Sequence, residues 1–372
     1  MNQRVDVQVI EQSGDIDGNA ALYEIFPGSG IETLIASTPH TRKILREPEV
    51  RSVEFQHLLS HGLHSIIKSL LMSQNTQVSS FLQSQPVDVL YILRGGLNFD
   101  LHTNLHDVTH TLPEVSFLSS QRIISPQGFS IQEASYQKWS IQDDAILCIG
   151  DISATATTIL HALSHVMRRY NQQHKKPRWL LFVTIGASDV LDTMRAYEET
   201  LQQMWGPQCG MTIVFIEQAL SLYKGDTALE GIHLPHTDFF RKGYLSAPEF
   251  EYDSLTHPIS FLEQCAIYDG GSRAFEPRSY MEELRDYWER LLEHAQTLPM
   301  DVLLSLKSNL MDYKRPYDEW VQRGEGWHIS EQRLRELYEK GQEALSYLHT
   351  HSLQELCEQR LYAIEQQMGH HR

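Results

Sequence analysis

The sequence has few of the features that mark secreted, zinc-binding or membrane proteins. Its 372 residues include four cysteines, and none of them forms a CxxC pair that would indicate a zinc site or a disulfide framework. No stretch approaches about eighteen uninterrupted apolar residues, and residues 1–19 lack the basic and apolar regions of a signal peptide. We therefore expect a cytoplasmic protein with reduced thiols and no membrane-spanning helix.

Basic residues are also scarce relative to acidic ones. The chain carries 31 Lys and Arg against 48 Asp and Glu, which gives a formal net charge of −17. This excess of negative charge opposes binding to a nucleic-acid backbone, so no nucleic-acid partner is expected. A local basic site can still hold a small anionic ligand.

Apolar runs alternate with helical patterns through the middle of the chain, and this alternation predicts an α/β fold with a parallel sheet and helices on both faces. The predicted strands cover residues 86–97, 114–123, 145–149, 178–188 and 211–220. Residues 53–82 have the apolar spacing of a single amphipathic helix. Residues 124–141 predict a hairpin or a mobile loop, and residues 1–50, including "STPHTRK", predict short strands and loops.

The C-terminal part of the chain has a different pattern. After about residue 275 the segments are helical, so we expect an α-helical C-terminal unit. The predicted domains are residues 1–50, packed on the core, residues 51–275, the α/β domain, and residues 276–372, the helical domain. The helical domain either packs on the α/β domain or forms the interface of a homo-oligomer.

A small-residue turn follows the apolar strand in "AILCIGDISATATTI" (145–159). The turn, predicted at residues 150–156, opens into a helix near Thr157, where backbone N–H groups and the helix dipole can hold a phosphate. The threonines add hydroxyl donors, and Ala154 and Ala156 let oxygen atoms approach closely. The alternative is an ordinary strand–turn–helix whose threonines cap the helix.

A second loop of this kind ends the first apolar strand in "YILRGGLNF" (91–99). Arg94 supplies a cation, and Gly95 and Gly96 supply a tight turn with accessible amides, which suits a phosphate or pyrophosphate group. The alternative is a simple strand-to-helix turn. The chain contains neither GxxxxGK[ST] nor GxGxxG, so neither a P-loop nor a dinucleotide-binding fold is indicated.

Together the two loops resemble those of type I phosphoribosyltransferases, over roughly residues 50–245. "AILCIGDISATATTI" is similar to that family's signature for 5-phosphoribosyl 1-pyrophosphate (PRPP), and "VDVLYILRGGL" is similar to its pyrophosphate loop. The order also matches, with the pyrophosphate loop first, then a hairpin, the PRPP loop and two more strands. The helical C-terminal region lies outside the resemblance.

The resemblance implies a site for PRPP and Mg²⁺. It places Arg94, Gly95 and Gly96 at the pyrophosphate with its magnesium. Asp151 would lie at the ribose hydroxyls and the positively charged reacting centre, and would contact Mg²⁺ indirectly. The segment 122–140 would close over the site, with Arg122 and Lys138 near the pyrophosphate. The PRPP contacts it implies are Asp151, Ser153, Ala154, Thr155, Ala156, Thr157 and Thr158.

An acceptor site is implied after the last core strand, in "HLPHTDFFRKGYLSAPEFEY" (233–252). In purine-specific members of the family, a nearby segment supplies an aromatic ring that stacks on the base. Phe239, Phe240 or Tyr244 would take that role, with Arg241 or Lys242 meeting an acidic or carbonyl group. The "GGSR" segment (270–273), which follows Asp269, is either a turn or a further contribution to the acceptor site.

Three positions depart from the family pattern. Gly150 replaces the first of the paired acids, and Ala154 replaces the Asp that faces the base in purine-specific members. Ala156 replaces the usual glycine of the loop, and this alanine is tolerable if its φ angle stays negative. These changes leave phosphate binding intact and weaken the case for an ordinary nucleobase-salvage enzyme.

The expected function is that of a PRPP-dependent pentosyltransferase of nucleotide metabolism, which moves phosphoribosyl to an unidentified acceptor and releases pyrophosphate. The alternative is a regulatory protein that binds PRPP or a nucleotide with reduced catalysis. A further option is an interaction protein whose helical C-terminus is the working part. The histidines at helical spacing (His102, His106 and His110; His161 and His165) indicate either a metal-binding face or, more simply, packing and surface residues.

Overall fold

A ten-stranded, largely parallel sheet forms the centre of the computed structural model. The structure describes residues 7–11, 19–26, 30–125, 128–132, 136–243, 246–264, 267, 270–324 and 329–369. Its strands are β1 (Val7–Glu11), β2 (Ala21–Ile25), β3 (Glu32–Ser37), β4 (Val87–Leu93), β5 (Glu114–Ser119), β6 (Gln121–Ser125), β7 (Gly128–Gln132), β8 (Gln137–Lys138), β9 (Ala145–Ser153), β10 (Pro177–Ala187), β11 (Gly210–Leu222) and β12 (Phe239–Phe240).

Helices precede, connect and follow these strands. They are α1 (Pro39–Arg46), α2 (Ser52–Met72), α3 (Gln77–Ser84), α4 (Leu101–Thr109), α5 (Thr157–Gln172), α6 (Asp189–Trp205), α7 (Pro248–Leu255), α8 (Gly270–Phe275), α9 (Pro277–His294), α10 (Met300–Lys307), α11 (Tyr317–Gly324), α12 (Glu331–Thr350) and α13 (Leu353–Gly369). Short 3-10 helices cover Gly95–Phe99, Thr227–Leu229, Pro258–Phe261 and Leu310–Lys314. Within the described ranges, no helix combines the length and the apolar character that crossing a membrane requires.

The strand order confirms the predicted α/β fold class. The order is β1-β2-β3-β11-β10-β9-β4-β5-β8, and the pairs from β3 through β5 are parallel. Strands β9, β10 and β11 are buried along almost their whole length, as expected where both faces of a sheet are covered. Because β4 and β9 are parallel neighbours, the loops that follow them emerge at the same edge of the sheet.

Two hydrophobic cores hold the chain together. The first comprises buried side chains between residues 20 and 274, around the sheet, and the second comprises buried side chains between residues 223 and 364. Helix α13 packs along α9 in the second core. The C-terminal part is thus helical as predicted, whereas the boundaries of the three predicted domains stay predictions.

Two predictions for the first part of the chain were wrong in detail. The segment "STPHTRK", predicted as strand or loop, enters helix α1, because Thr38 forms a capping box with Thr41 and proline suits the first helical turn. The single helix predicted over residues 53–82 is two helices, α2 and α3. The carboxylate of Glu32, on β3, accepts hydrogen bonds from the backbone N–H groups of Gln77 and Val78. These bonds cap the first turn of α3 and so begin a second helix there.

Two buried arginines bind the carboxyl end of α1. The guanidinium of Arg273 donates to the carbonyl oxygens of Ile44 and Glu47 at 3.0 and 2.6 Å, and to that of Val50 at 2.6 Å. The guanidinium of Arg241 donates to the carbonyl oxygen of Leu45 at 2.5 Å, and to two serine hydroxyls. Carbonyl groups at a helix end otherwise lack partners, so these two side chains fasten α1 to the segments around α7 and α8.

Replacement of Arg273 by methionine should destabilise the protein by at least about 3 kcal/mol, because two buried carbonyl groups and one partly buried carbonyl group lose their donor. The free energy of unfolding in urea measures the change. The matched control is Arg278→Met, since the Arg278 side chain is 88% exposed in an ion pair with Glu282 on the same helix. This control should stay within about 0.5 kcal/mol of the wild type. Equal losses in the two variants would contradict the role given to Arg273.

Candidate functional site

The two loops singled out in the sequence lie against each other at the carboxyl edge of the sheet. A Cβ atom placed on Gly95 would lie 3.3 Å from the Oδ1 atom of Asp151. One placed on Gly96 would lie 3.1 Å from the carbonyl oxygen of Gly150. The predicted pyrophosphate loop and the predicted PRPP loop are therefore in van der Waals contact, and glycine permits this close approach.

Strand β9 continues further than its sequence predicted. The prediction ended the strand at Ile149 and began the turn at Gly150, whereas the strand extends to Ser153 and the turn covers residues 154–156. Asp151 is thus part of the sheet rather than of a loop, and the residue is only 7% exposed. A carboxylate held on a strand has a better defined position than one on a loop, which suits it to a fixed role in a site.

The aromatic ring of Phe99 accounts for the missing acid at position 150. Phe99 ends the 3-10 helix that follows β4, and its side chain is fully buried. A Cβ atom on Gly150 would lie 2.6 to 2.7 Å from atoms of Phe99, which is closer than van der Waals contact allows. The space that the first acidic side chain would require is therefore filled by the ring.

The turn between β9 and α5 leaves the start of the helix without a side-chain cap. Ala156 is the N-cap residue, and the hydroxyls of Thr155 and Thr157 bond to each other at 2.8 Å. Ala156 has a φ angle of 61°, so the condition of a negative φ, under which alanine would be tolerated here without strain, is not met. The sharp entry from strand to helix requires the left-handed conformation, at a cost of about 1–2 kcal/mol for a residue other than glycine. The first-turn amides and the helix dipole remain suited to an anion.

Arg94 projects from the other loop and pairs with an acid from a distant part of the chain. Its Nη1 and Nη2 atoms donate to Oε1 and Oε2 of Glu276 at 2.7 and 3.0 Å. The side chains of Arg94 and Glu276 are 48% and 51% exposed. The hydrogen bonds from Arg94, together with the charge of its guanidinium, lower the pKa of the Glu276 carboxyl, so this acid is ionised at neutral pH. The peptide bond between Leu93 and Arg94 is cis.

Besides Glu276, which is paired with Arg94, a divalent cation at this edge would find the carboxylate of Asp151 close to the two loops. Among the described residues, no group of three or more His, Cys, Asp or Glu side chains is arranged to hold a metal ion. Phe99 leaves no room for an acid at position 150. These residues fit a Mg²⁺ ion that arrives with the phosphates of its ligand and keeps several waters, with Asp151 as the nearby acid.

The residues predicted for an acceptor site take part in packing. Phe239 and Phe240 are almost completely buried, and Phe240 lies against the ring of His233 in the second core. Arg241 binds the end of α1, and Lys242 donates to the carbonyl oxygen of Ser305. Tyr244 lies outside the described residues. The acceptor role of these residues stays a prediction, and in this conformation the two phenylalanine rings offer almost no free surface.

The segment between β5 and β9 contains the predicted hairpin. Strands β6 and β7 pair antiparallel, and β7 lies against α5, whose start forms part of the site. Lys138 is exposed on β8, at the end of this segment. The side chain of Arg122 and residue Asp269 lie outside the described residues. Closure of residues 122–140 over the site stays a prediction.

The spaced histidines have ordinary structural contacts. The Nδ1 atom of His102 lies 2.7 Å from the hydroxyl of Tyr91, and that of His106 lies 2.6 Å from the carbonyl oxygen of Thr111. The rings of His161 and His165 pack edge to face at 4.7 Å. These contacts favour the packing interpretation over a metal-binding face.

A second acidic residue at this edge, Glu217, escaped the sequence-based prediction. Its carboxylate is fully buried and accepts hydrogen bonds from the backbone N–H of Thr38 and the hydroxyl of Thr41, at the start of α1. Burial raises the pKa of Glu217 from 4.5 to about 7. Its sequence signal was a charged residue inside the apolar run "TIVFIEQAL".

Comparisons with known proteins gave distant structural similarities only. No family model matches the chain, and no curated protein matches it. A hypoxanthine phosphoribosyltransferase from Staphylococcus aureus is 15% identical with a TM-score of 0.23, and the match covers 47% of this chain and 73% of that one. A hypoxanthine-guanine phosphoribosyltransferase from Bacillus anthracis is 16% identical with a TM-score of 0.23, and covers 40% of this chain and 69% of that one. TM-scores this low do not establish a shared fold, so the case for the site depends on its own geometry.

Addition of one methyl group at position 150 tests the packing of the two loops. Gly150→Ala should cost about 1–3 kcal/mol of stability, because the new Cβ collides with Phe99. In a Phe99→Ala background the same change should cost almost nothing, and urea unfolding of the four proteins of the cycle measures this coupling. Gly369→Ala is the control, since nothing lies within 4 Å of its new Cβ. An equal cost of Gly150→Ala in both backgrounds would refute the contact.

The buried Glu217 should make stability depend on pH. Its pKa is raised on folding from 4.5 to about 7, so the folded state binds more protons in this range and stability is lost as the pH rises. Glu217→Gln removes this titration. Its stability relative to the wild type should improve by roughly 2–3 kcal/mol between pH 5 and pH 8, measured by urea unfolding. Glu339→Gln, at an exposed position of α12, is the control for the loss of a carboxylate. A parallel pH profile for Glu217→Gln and wild type would contradict the assignment.

Proposed function

We propose that the chain binds PRPP with Mg²⁺ at the two loops and transfers its phosphoribosyl group to an acceptor, with release of pyrophosphate. The observation that carries the proposal is the contact between Gly95 and Asp151, which joins an arginine–glycine loop to a phosphate-type turn. Either loop alone is compatible with an ordinary turn. Their contact forms one site with two anion-binding ends and a carboxylate between them.

The 5-phosphate of the ligand fits the turn at residues 154–156. Ala156 at the N-cap position has no side chain that could bond to the amides at the start of α5. These amides lie at the same edge of the sheet as the loop that carries Arg94. An anion there is stabilised by the helix dipole and by the hydroxyls of Thr155 and Thr157. Ala154 and Ala156 are buried, and their small side chains add no bulk at the turn.

The pyrophosphate fits the loop formed by Arg94, Gly95 and Gly96. The guanidinium already holds a carboxylate in bidentate geometry, and a phosphate group presents the same pair of oxygen acceptors. Bound Mg²⁺ would neutralise part of the negative charge that develops on the leaving pyrophosphate. Asp151 lies beside Gly95, where a carboxylate stabilises positive charge on the sugar ring and accepts bonds from its hydroxyls.

The second candidate is a protein that binds PRPP or a nucleotide and regulates without substantial turnover. The packing of Phe99 on Gly150 favours it, because one of the two acids expected beside the sugar has no space. One carboxylate stabilises less positive charge in the transition state than two do. Binding, in contrast, uses the amides and Arg94, which remain.

The direct test is the release of pyrophosphate by the purified full chain with PRPP, Mg²⁺ and a panel of nucleobases and amines. Transferase activity predicts acceptor-dependent release, and Asp151→Asn should lower the rate by about a hundredfold or more. The control is Asp192→Asn, since Asp192 is 90% exposed on α6. PRPP should also raise the melting temperature in the presence of Mg²⁺, by mass action.

The outcomes separate the two candidates. Thermal stabilisation by PRPP without release of pyrophosphate from any acceptor favours the regulatory protein. Stabilisation that is lost on Arg94→Gln assigns the binding to this site. Absence of stabilisation and of turnover, with Asp151→Asn the same as wild type in both assays, rules out both candidates.

A further inference from the structure

The partner of Arg94 comes from a segment that sequence analysis left open between a turn and an acceptor contribution. Helix α8 (Gly270–Phe275) carries this "GGSR" segment, and Glu276 follows it. Both oxygens of the Glu276 carboxylate accept from the guanidinium of Arg94, at 2.7 and 3.0 Å. The carboxylate therefore takes the position and geometry that a phosphate group would take on this side chain.

The segment that carries Glu276 is anchored beside the site at two points. The carbonyl oxygen of Gly270 accepts from the side-chain amide of Asn98 at 2.9 Å, and a Cβ atom on Gly270 would lie 2.4 Å from Cδ1 of Ile152. Arg273, three residues on, is fixed to the carboxyl end of α1. Because Gly270 contacts both the 3-10 helix after β4 and strand β9, α8 lies beside the two loops as a third wall of the site, and Glu276 directly follows it.

We propose that Glu276 is a built-in competitor for the anion position at Arg94, which the pyrophosphate group of a ligand must displace in order to bind. The inference rests on the proposed role of the Arg94 loop as an anion-binding loop. The Arg94–Glu276 pair is half exposed, and exposed ion pairs contribute little to stability, so a ligand with more negative charge than a carboxylate displaces Glu276 readily. The pair thus keeps Arg94 oriented and lowers its affinity for weaker anions.

The displaced carboxylate has a second favourable position nearby. Glu276 is the N-cap residue of the 18-residue helix α9, and its side chain makes no capping bond there while it pairs with Arg94. An acid at a helix N-terminus is stabilised by the unpaired amides and by the helix dipole. Ligand binding at Arg94 therefore exchanges one partner of Glu276 for another, and connects the site to α9 and the second core.

The test is a calorimetric titration of the full-length protein with inorganic pyrophosphate in the presence of Mg²⁺, which measures the binding affinity. Glu276→Gln should tighten binding by roughly threefold to tenfold, because the competing charge is gone. Arg94→Gln should weaken it at least about tenfold. In the Arg94→Gln background, Glu276→Gln should bring no further gain. Glu282→Gln is the matched control, since Glu282 pairs with exposed Arg278 on the next turns of α9.

Unchanged or weaker binding of pyrophosphate by Glu276→Gln would overturn the inference. An equal gain in affinity from Glu276→Gln in the Arg94→Gln background would also overturn it, and so would the absence of pyrophosphate binding in every variant. The assay needs neither a ribose nor an acceptor, so its failure is distinct from that of the proposed function. Tighter pyrophosphate binding by Glu276→Gln in a protein that neither binds nor turns over PRPP supports the competitor and rejects the transferase. PRPP turnover by the wild type, together with an unaltered pyrophosphate affinity in Glu276→Gln, supports the transferase and rejects the competitor.

Discussion

The contact between Phe99 and Gly150 is the constraint on which the site depends. The 3-10 helix after β4 can lie on β9 only because position 150 has no side chain, and its approach brings Gly95 against Asp151. The same contact removes one of the two acids that the family resemblance leads one to expect. The packing of Phe99 on Gly150 thus brings the two loops together and also determines how many acids lie at their junction. A closely packed core has no space for both the Phe99 ring and an acidic side chain at position 150.

The buried arginines transmit this arrangement to the rest of the chain. The guanidinium groups of Arg241 and Arg273 both donate to carbonyl oxygens at the carboxyl end of α1, the helix that follows strand β3 in the chain. Since Arg273 belongs to α8, the position of Glu276 is set by the same bonds that hold α1. Arg360 of α13 adds ion pairs to Glu263 and Glu49, so the C-terminal helix also contacts the segment after α1. The helical unit is therefore coupled to the site through side chains that are mostly buried.

The sequence predicted those features that depend on local patterns. Continuous apolar runs located the central strands along the chain, and the two loops were identified because their small residues directly follow such runs. Features that depend on distant contacts were missed. Helix α3 begins where its first amides bond to a carboxylate on β3. Phe239 and Phe240 lie in the cores rather than at a ligand site. No pattern in the neighbouring sequence indicated the contact that Glu276 makes with Arg94. A single charge inside an apolar run, as at Glu217, was a usable signal that pattern analysis passed over.

In the proposed complex with PRPP, the charges at the site would favour binding over fast turnover. One acid beside the sugar instead of two would repel a multiply charged anion less, because Coulomb repulsion between like charges is strong where water is partly excluded. The same loss reduces the stabilisation of positive charge in the transition state. Glu276 works in the opposite direction before binding, since it neutralises Arg94 until a stronger anion arrives. A site with these properties discriminates among anions by their charge, and this discrimination serves a transferase and a regulatory protein equally well.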